Sequence, residues 1–366
     1  MNDMLSRSAL AAVFVEAGRP MRIEAFPIPK PRGTEAVARV LCTSICGSDL
    51  HSYFGRRSAA VPSVLGHEMV GEIVAMGPGG VDEFEGGPLN LGDRVTWSMV
   101  WSCGECFYCK NGLCPKCEKL FKFGHEEIRP EMALTGGFAE FCFLPAGTAI
   151  CRVPDNVPDE VASPANCATA TVAAVLRHTG GIAGETVVVL GAGMLGLSAC
   201  AMAKWKGAKQ VIAVEIDARR AALASRFGAD LMLDGGLSPC ELVAEVKGYT
   251  AGRGAECVLE FTGSPEATEA GFELLRFGGR YVLAGATYPS RPIAISAEQL
   301  VRRLIRLVGV YNYEPGDLKQ ALTFLSACTG RFPFGELVGR TFPLSKIAEA
   351  FAFAEAERPP RVALRP

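Results

Sequence analysis

The chain has 366 residues, of which 49% are hydrophobic and 21% charged, and its formal net charge at pH 7 is -2. A length above about 250–300 residues predicts more than one domain, and this composition is typical of an ordinary globular protein. The small net charge excludes the strongly basic surface with which proteins bind nucleic acid or anionic membranes, so neither partner is expected.

The first 20 residues have no basic segment followed by an apolar core and a small-residue cleavage site, so no signal peptide is predicted. The longest apolar stretch, residues 187–203, is interrupted by glycines and is predicted to be a buried strand leading into a helix. Fourteen cysteines in such a chain favour reduced thiols and metal ligation over disulfides. We therefore expect a cytoplasmic protein without a membrane segment.

Short β-branched runs separated by glycine and proline fill the chain before residue 167, a pattern typical of many short strands. Beyond that point apolar runs of strand length alternate with helical segments, which indicates a parallel sheet with helices on both faces. The predicted strands are 37–41, 70–76, 138–144, 186–190, 210–215, 257–261, 281–284, 307–310 and 334–342. The predicted helices are 195–206, 218–227 and 345–356.

Three glycines at the exit of the predicted strand 186–190 point to a nucleotide site. Gly191 permits a tight turn, Gly193 lets a pyrophosphate approach the backbone, and Gly196 lets the helix pack closely on the strand. Met194 and Leu195, at the start of the helix, supply backbone N–H groups to the phosphates. Glycines that serve packing alone are the alternative interpretation.

Glu215 ends the next predicted strand, where an acidic side chain accepts the ribose hydroxyls and repels a 2′-phosphate. This position favours NAD over NADP. Arg220, together with Arg219, lies close enough along the chain to contact the cofactor and to weaken that preference.

Four cysteines lie close together with the spacing C-x2-C-x2-C-x7-C: Cys103, Cys106, Cys109 and Cys117. Four thiolates in one loop can complete a tetrahedral zinc shell and leave no position for chemistry, so a structural zinc is predicted over 103–117. Spacing alone also allows Cys114 to take the place of Cys117.

A second set of candidate ligands is dispersed along the chain and consists of Cys46, His67 and Cys167. The chain has only four histidines, and two of them, His51 and His67, fall in these segments. Two cysteines and a histidine form a set that leaves a fourth zinc position for water or substrate. This pattern predicts a catalytic zinc.

With the segment Gly66-His67-Glu68-x2-Gly71-x5-Gly77 added, these features resemble the zinc-containing medium-chain dehydrogenase/reductase family, whose type members are alcohol dehydrogenases. The resemblance extends over essentially the whole chain. Within the family, the segments Phe123-Gly-His-Glu126 and Asn166-Cys-Ala-Thr-Ala-Thr171 are most similar to a bacterial subgroup associated with phosphonate-catabolism gene clusters.

The resemblance implies an α/β fold in which a Rossmann doubly wound parallel sheet domain is inserted in a mostly-β GroES-like catalytic domain. The catalytic domain would comprise residues 1–167 and 311–366, and the NAD-binding domain residues 168–310. The family also implies a homodimer or homotetramer.

Roles follow from the resemblance for several further residues. Glu68 would lie just behind the catalytic zinc, and Asp49 would hydrogen-bond the zinc ligand His67. Ser48 and His51 would relay the substrate proton to solvent. Thr171 would lie near the nicotinamide, and Arg361 would contact the cofactor phosphates.

The implied function is an NAD-dependent zinc alcohol dehydrogenase, which transfers a hydride between a small primary or secondary alcohol and NAD to give an aldehyde or ketone. One alternative is a polyol or phosphonate-bearing alcohol dehydrogenase of the same family. A second alternative is a non-catalytic nucleotide-binding zinc protein, which would need neither Ser48 nor His51.

Overall fold

The computed structural model describes residues 8–366, which form two compact units. The first unit contains the residues up to Cys167 together with Glu314–Ala327 and Phe334–Pro366. The second unit contains Ala168–Tyr313 and Cys328–Pro333. The chain therefore leaves the first unit directly after Cys167 and returns to it at Glu314.

The strands, numbered in chain order, are β1 (Ser8–Phe14), β2 (Arg22–Pro27), β3 (Ala36–Ile45), β4 (Ser63–Val64), β5 (Glu68–Met76), β6 (Arg94–Trp97), β7 (Val100–Trp101), β8 (Phe121–Lys122), β9 (Phe141–Leu144), β10 (Ile150–Arg152), β11 (Thr186–Leu190), β12 (Gln210–Glu215), β13 (Leu231–Asp234), β14 (Ala255–Glu260), β15 (Leu275–Leu283), β16 (Arg306–Gly309), β17 (Val338–Pro343) and β18 (Arg361–Arg365). The α-helices are α1 (Gly47–Tyr53), α2 (Phe107–Lys110), α3 (Asp159–Ala162), α4 (Ala168–His178), α5 (Met194–Trp205), α6 (Ala218–Arg226), α7 (Pro239–Tyr249), α8 (Pro265–Glu273), α9 (Ala297–Arg302), α10 (Pro315–Ala327) and α11 (Ile347–Glu357). Across residues 8–366, no helix has the length and apolar character needed to cross a bilayer.

A seven-stranded sheet is the centre of the first unit, with the order β10-β6-β5-β3-β18-β17 and with β9 paired to β3. Its pairs are antiparallel except for β17 with β18. Val37 of β3 packs in one hydrophobic cluster with Phe138 and Phe351, whereas its neighbours Ala36 and Ala38 belong to another. Because successive residues of a strand face opposite sides, this sheet has a core on each face.

The second unit is built on six parallel strands in the order β13-β12-β11-β14-β15-β16. The first strand of this unit, β11, lies at the centre of the sheet, which is the doubly wound Rossmann arrangement. Every residue of β11 is buried, as expected for a parallel strand covered on both faces. The predicted fold class is confirmed.

The predicted elements agree best with the structure in the second unit. The strands predicted at 186–190 and 210–215 coincide with β11 and β12, and the helix predicted at 218–227 differs from α6 by one residue.

Two strand predictions in the first unit are partly wrong. The strand predicted at 138–144 begins only at Phe141, and that predicted at 334–342 begins only at Val338. Phe334–Leu337 forms a 3-10 turn in which Phe334 and Leu337, three residues apart, are both buried. A short apolar segment of this kind does not distinguish a strand from a tight turn.

Candidate active site

Strand β3 positions the first group of predicted metal ligands. Its register with β5 sets Ser44 opposite Glu68. Cys46 follows the end of β3 and His67 precedes the start of β5, so these two ligands are neighbours across the same ladder. On the other side of β3, the antiparallel register of β18 brings Arg361 level with Cys46. Three strands that are distant in sequence thus converge at one point.

The structure brings Cys46, His67 and Cys167 together, with Glu68 beside them. One ligand atom from each of these four side chains lies within 4.8 Å of the other three. Cys167 reaches the group from the end of a 3-10 turn formed by Ser163–Asn166. Two thiols and one imidazole fit a catalytic zinc, which takes three protein ligands and keeps one position for substrate.

Asp49 lies behind His67 and fixes the start of α1. Asp49 Oδ1 is 3.4 Å from His67 Nδ1, in ion-pair range but longer than an ordinary hydrogen bond. Its other oxygen accepts a 2.9 Å hydrogen bond from the Cys46 N–H. Burial opposes a charged imidazole, but the negative charge of Asp49 outweighs burial and raises the pKa of His67 to about 10. A carboxylate facing Nδ1 leaves Nε2 for a metal, which would displace the proton.

The Cys46 thiol is prepared for ligation by its neighbours. A hydrogen bond from Cys167 and the positive charge of Arg361 outweigh burial and hold the pKa of Cys46 well below its usual value. Arg361 Nη2 is 3.7 Å from Cys46 Sγ. Because the thiolate is the form that binds metal, these contacts favour the ligating state of Cys46.

Glu68 and Arg361 form a buried ion pair beside the metal ligands. Arg361 Nε lies 2.7 Å from Glu68 Oε2, and Arg361 Nη2 lies 2.6 Å from Glu68 Oε1. Burial raises the pKa of Glu68, and the charge of Arg361 opposes that rise. The resemblance implied that Arg361 contacts cofactor phosphates; in the structure its guanidinium lies against Glu68.

Ser48 and His51 lie three residues apart on α1, so their side chains share one face of the helix. Both are half-buried. Burial and the charge of Arg56 lower the pKa of His51, which favours the neutral imidazole, the form that can accept a proton.

The cysteine loop forms a second metal-ligating group. Ligand atoms of Cys103, Cys106, Cys109 and Cys117 all lie within 4.8 Å of one another. Cys117 Sγ is 3.5 Å from Cys103 Sγ and 4.0 Å from Cys106 Sγ. These separations approach the edge of about 3.8 Å in a tetrahedron with zinc–sulfur bonds of about 2.3 Å. Cys114, which the spacing left open, is outside this group.

The glycine-rich turn joins β11 to α5 in the second unit. Gly191 has a φ of +88°, and a Cβ on Gly196 would lie 1.8 Å from the carbonyl oxygen of Gly191. A Cβ on Gly193 would meet nothing within 4 Å, which leaves its backbone open to a ligand. Met194 and Leu195 begin α5, and N–H groups in the first turn of a helix have no partner within that helix.

Glu215, at the end of β12, is fixed by three backbone N–H groups. Glu215 Oε2 accepts from Ala192 at 2.7 Å, and Oε1 accepts from Ile216 at 2.9 Å and from Asp217 at 3.0 Å. The carboxylate is thus attached both to the glycine-rich turn and to its own loop, at the end of the strand where a Rossmann sheet binds ribose.

Two further predicted cofactor residues also belong to the second unit. Arg220 lies in the first turn of α6, where its backbone N–H donates to Asp217. Thr171 lies near the start of α4, four residues after Cys167, so one short segment carries both a metal ligand and a predicted nicotinamide neighbour.

The sequence predicts no role for His125, yet its ring packs on the ring of His67 with centroids 5.0 Å apart. His125 Nδ1 is 2.9 Å from the carbonyl oxygen of Phe123, and burial lowers the pKa of His125 well below its usual value. The available signal was the scarcity of histidine in the chain. Ser44, which contacts the Glu68 carboxylate, gave no such signal.

Comparisons with known proteins agree with this geometry. The family model described as alcohol dehydrogenase GroES-like domain matches residues 32–155, and the one described as zinc-binding dehydrogenase matches residues 195–327. L-threonine 3-dehydrogenase of Pyrococcus furiosus is 37% identical over 294 residues, which cover 78% of this chain and 77% of the relative. The 5-exo-hydroxycamphor dehydrogenase of Pseudomonas putida is 31% identical over 351 residues, covering 95% and 96%.

Among solved structures, an alcohol dehydrogenase of Thermotoga maritima is similar, with a TM-score of 0.92 at 29% identity, covering 98% of this chain and 99% of that one. A Rossmann sheet and a Cys2His metal site on one chain define a zinc-dependent oxidoreductase. The chain belongs to the zinc-containing medium-chain dehydrogenase/reductase family, together with alcohol and threonine dehydrogenases. Zinc and a nicotinamide dinucleotide are its cofactors, as the sequence predicted.

Proposed function

We propose that the protein is an NAD-dependent zinc alcohol dehydrogenase that interconverts a small alcohol with its aldehyde or ketone. The observation that carries this proposal is the group formed by Cys46, His67 and Cys167, whose ligand atoms lie within 4.8 Å of one another. Ser48 and His51 lie on the helix that starts at this group and are the residue types that a proton relay needs.

The chain's own residues would divide the chemistry as follows. Zinc, when bound, supplies a Lewis acid that lowers the pKa of an alcohol hydroxyl. Ser48 accepts the hydroxyl proton, and the neutral imidazole of His51 carries it to solvent. Asp49 keeps His67 in its ligating orientation. The first turn of α5 holds the dinucleotide phosphates, and Thr171 borders the nicotinamide.

Glu215 supports NAD as the cofactor, because a carboxylate fixed by three N–H groups can accept ribose hydroxyls and repels a 2′-phosphate. Arg220, in the adjacent first turn of α6, weakens that repulsion without removing it. In Glu215→Ala, we expect the ratio of kcat/KM for NAD to that for NADP to fall at least tenfold. An unchanged ratio would contradict the assignment.

A secondary alcohol is the favoured substrate class. The relatives named for L-threonine and for 5-exo-hydroxycamphor act on compounds whose hydroxyl stands on a secondary carbon. A polyol or a phosphonate-bearing alcohol is the second candidate, because the segments at 123–126 and 166–171 are similar to the phosphonate-associated subgroup. The intact relay on α1 argues against a non-catalytic nucleotide-binding protein.

We also propose a cytoplasmic homodimer or homotetramer. The fourteen cysteines, all within residues 8–366, form no disulfide bonds, which is the state that a reducing compartment favours. Strand β16 is an edge of the parallel sheet. Exposed apolar side chains lie on this strand, at Leu307, and just before it, at Val301 and Leu304. An apolar edge strand is suited to pairing with a second copy. Light scattering of wild type and of Leu304→Glu measures the oligomeric state. A wild-type monomer at micromolar concentration would exclude the proposed dimer or tetramer.

Metal content and NADH absorbance across a panel of alcohols test the main proposal. The panel should include primary, secondary, cyclic, polyhydroxy and phosphonate-bearing alcohols, each with NAD and NADP. Wild type should contain two zinc ions per chain. Cys46→Ala and His67→Ala should lose one zinc and all turnover, and Cys114→Ala, the matched control, should keep both. Two zincs without turnover of any alcohol would restore the non-catalytic alternative.

A further inference from the structure

Two buried serines, Ser44 and Ser163, extend the hydrogen-bond network of the Glu68–Arg361 pair. Ser44 Oγ donates a hydrogen bond of 2.5 Å to Glu68 Oε2, and Ser163 Oγ is 3.2 Å from Ser44 Oγ. Ser44, Ser163 and Glu68 are all fully buried. None of these contacts was anticipated from the family resemblance, and the proton relay on α1 does not use them.

The direction of these hydrogen bonds follows from proton counting. A serine hydroxyl has one proton to donate and two lone pairs to accept with. The Glu68 carboxylate, paired with the Arg361 guanidinium, accepts from Ser44, so the proton of Ser44 points to the carboxylate. Ser163 must then be the donor to Ser44. The chain Ser163→Ser44→Glu68 therefore has one polarity, which strengthens the last bond.

The Glu68 carboxylate is close enough to bind a metal at the Cys2His site. One of its oxygens lies within 4.8 Å of the ligand atoms of Cys46, His67 and Cys167, and carboxylates are ordinary zinc ligands. Three donors hold it in its present orientation, namely two guanidinium N–H groups of Arg361 and the hydroxyl of Ser44. Arg361 has a long side chain that can follow the carboxylate, whereas Ser44 is fixed on β3 directly opposite Glu68.

We propose that Ser44, backed by Ser163, is a positioning residue that keeps the Glu68 carboxylate paired with Arg361 instead of bound to the catalytic metal, and so leaves the substrate's coordination position available. The inference rests on the proposed function, because it requires a metal at Cys46, His67 and Cys167. Without the Ser44 hydroxyl, the carboxylate competes with any incoming ligand for that position.

Thr43 offers a matched control on the same strand. Its hydroxyl is also buried and also contacts Glu68, but it donates to the backbone carbonyl at 2.8 Å and leaves the carboxylate alone. Thr43→Val removes a buried hydroxyl as Ser44→Ala does, and thus reproduces any general effect on stability or packing.

The test is the affinity of the cobalt-substituted full-length protein for imidazole, a simple ligand for an open metal position. The difference in visible absorbance on adding imidazole reports the Cys2His site, since the four-cysteine site has no open position. Relative to wild type, we expect at least tenfold weaker imidazole binding in Ser44→Ala, in the range typical of such supporting contacts. Thr43→Val should stay within twofold of wild type.

Ser163→Ala covers the case in which Ser44→Ala does not fold, because it leaves Ser44 in place and removes only the donor behind it. We expect about threefold weaker imidazole binding, the size of a partial loss of one hydrogen bond. Binding within twofold of wild type in Ser44→Ala, or an equal loss in Thr43→Val, would overturn the positioning role while leaving the dehydrogenase proposal intact. A wild-type protein without an imidazole-sensitive cobalt band would overturn both.

Discussion

Arg361 and Glu68 are joined by two hydrogen bonds, of 2.7 and 2.6 Å, across a sequence separation of 293 residues. The two side chains are 6% and 0% exposed. Removing one partner of such a pair leaves an uncompensated buried charge, so Arg361→Leu should destabilise the first unit by about 3–5 kcal/mol. The double variant Glu68→Gln/Arg361→Leu leaves no such charge and should recover part of the loss. Thermal unfolding of the zinc-loaded proteins measures both, and equal midpoints for single and double variants would contradict the pairing.

Substitutions at two glycines of the glycine-rich turn should have different effects, one on folding and the other on nucleotide binding. A Cβ on Gly196 would lie 1.8 Å from the Gly191 carbonyl oxygen, whereas one on Gly193 meets nothing within 4 Å. Gly196→Ala should therefore lower the melting temperature of the second unit by several degrees. Gly193→Ala should fold normally and bind NADH at least tenfold more weakly, because its Cβ would occupy the approach to the phosphates. Calorimetry and NADH fluorescence distinguish the two, and wild-type NADH affinity in Gly193→Ala would refute the assigned role.

The cysteine loop should lose its metal in one cysteine variant and keep it in another. Cys103→Ser removes a sulfur that lies 3.5 Å from Cys117 Sγ, so the protein should retain one zinc per chain and melt at a lower temperature. Cys114 lies outside the group, so the Cys114→Ser protein should retain two zinc ions per chain. Elemental analysis after gel filtration measures the zinc content. Loss of zinc from the Cys114 variant would show that the loop closes on a different set of thiols.

Thiol reactivity should follow burial in the zinc-loaded protein. Cys240 is exposed, whereas burial raises the pKa of both Cys151 and Cys200 to about 12. At pH 8 a thiol with that pKa is thiolate in only about one molecule in ten thousand. We expect Cys240 to react with iodoacetamide at least 100-fold faster than either buried thiol. Peptide mapping of timed samples gives the rates, with Cys240→Ser as the control, and comparable labelling of Cys200 would contradict its burial.

The sites that the sequence predicts correctly are those whose functional residues all lie in one short segment. The turn from Gly191 to Gly196 and the loop from Cys103 to Cys117 each hold their functional atoms within a few residues, and the structure brings those atoms together. Spacing could not distinguish Cys114 from Cys117, because both lie within reach along one loop. In the structure, Cys117 Sγ lies in the group of ligand atoms and Cys114 Sγ does not.

Contacts that depend on strand register could not be predicted from the sequence. Ser44 meets the Glu68 carboxylate because β3 and β5 pair in one particular register, and a shift of one residue would turn its side chain to the other face. Arg361 was assigned a role by resemblance, yet its contact with Glu68 depends on β18 lying beside β3. Such pairings join residues far apart in the chain and leave no local pattern.

The position of β18 between β3 and β17 has a consequence for biosynthesis. Until the ribosome has made the chain through Arg361, residues 43–45 of β3 lack their β18 partner and Glu68 lacks the guanidinium that faces it. A nascent chain can therefore contain all three proposed ligands of the catalytic metal while the buried Glu68 carboxylate still lacks the positive charge that pairs with it.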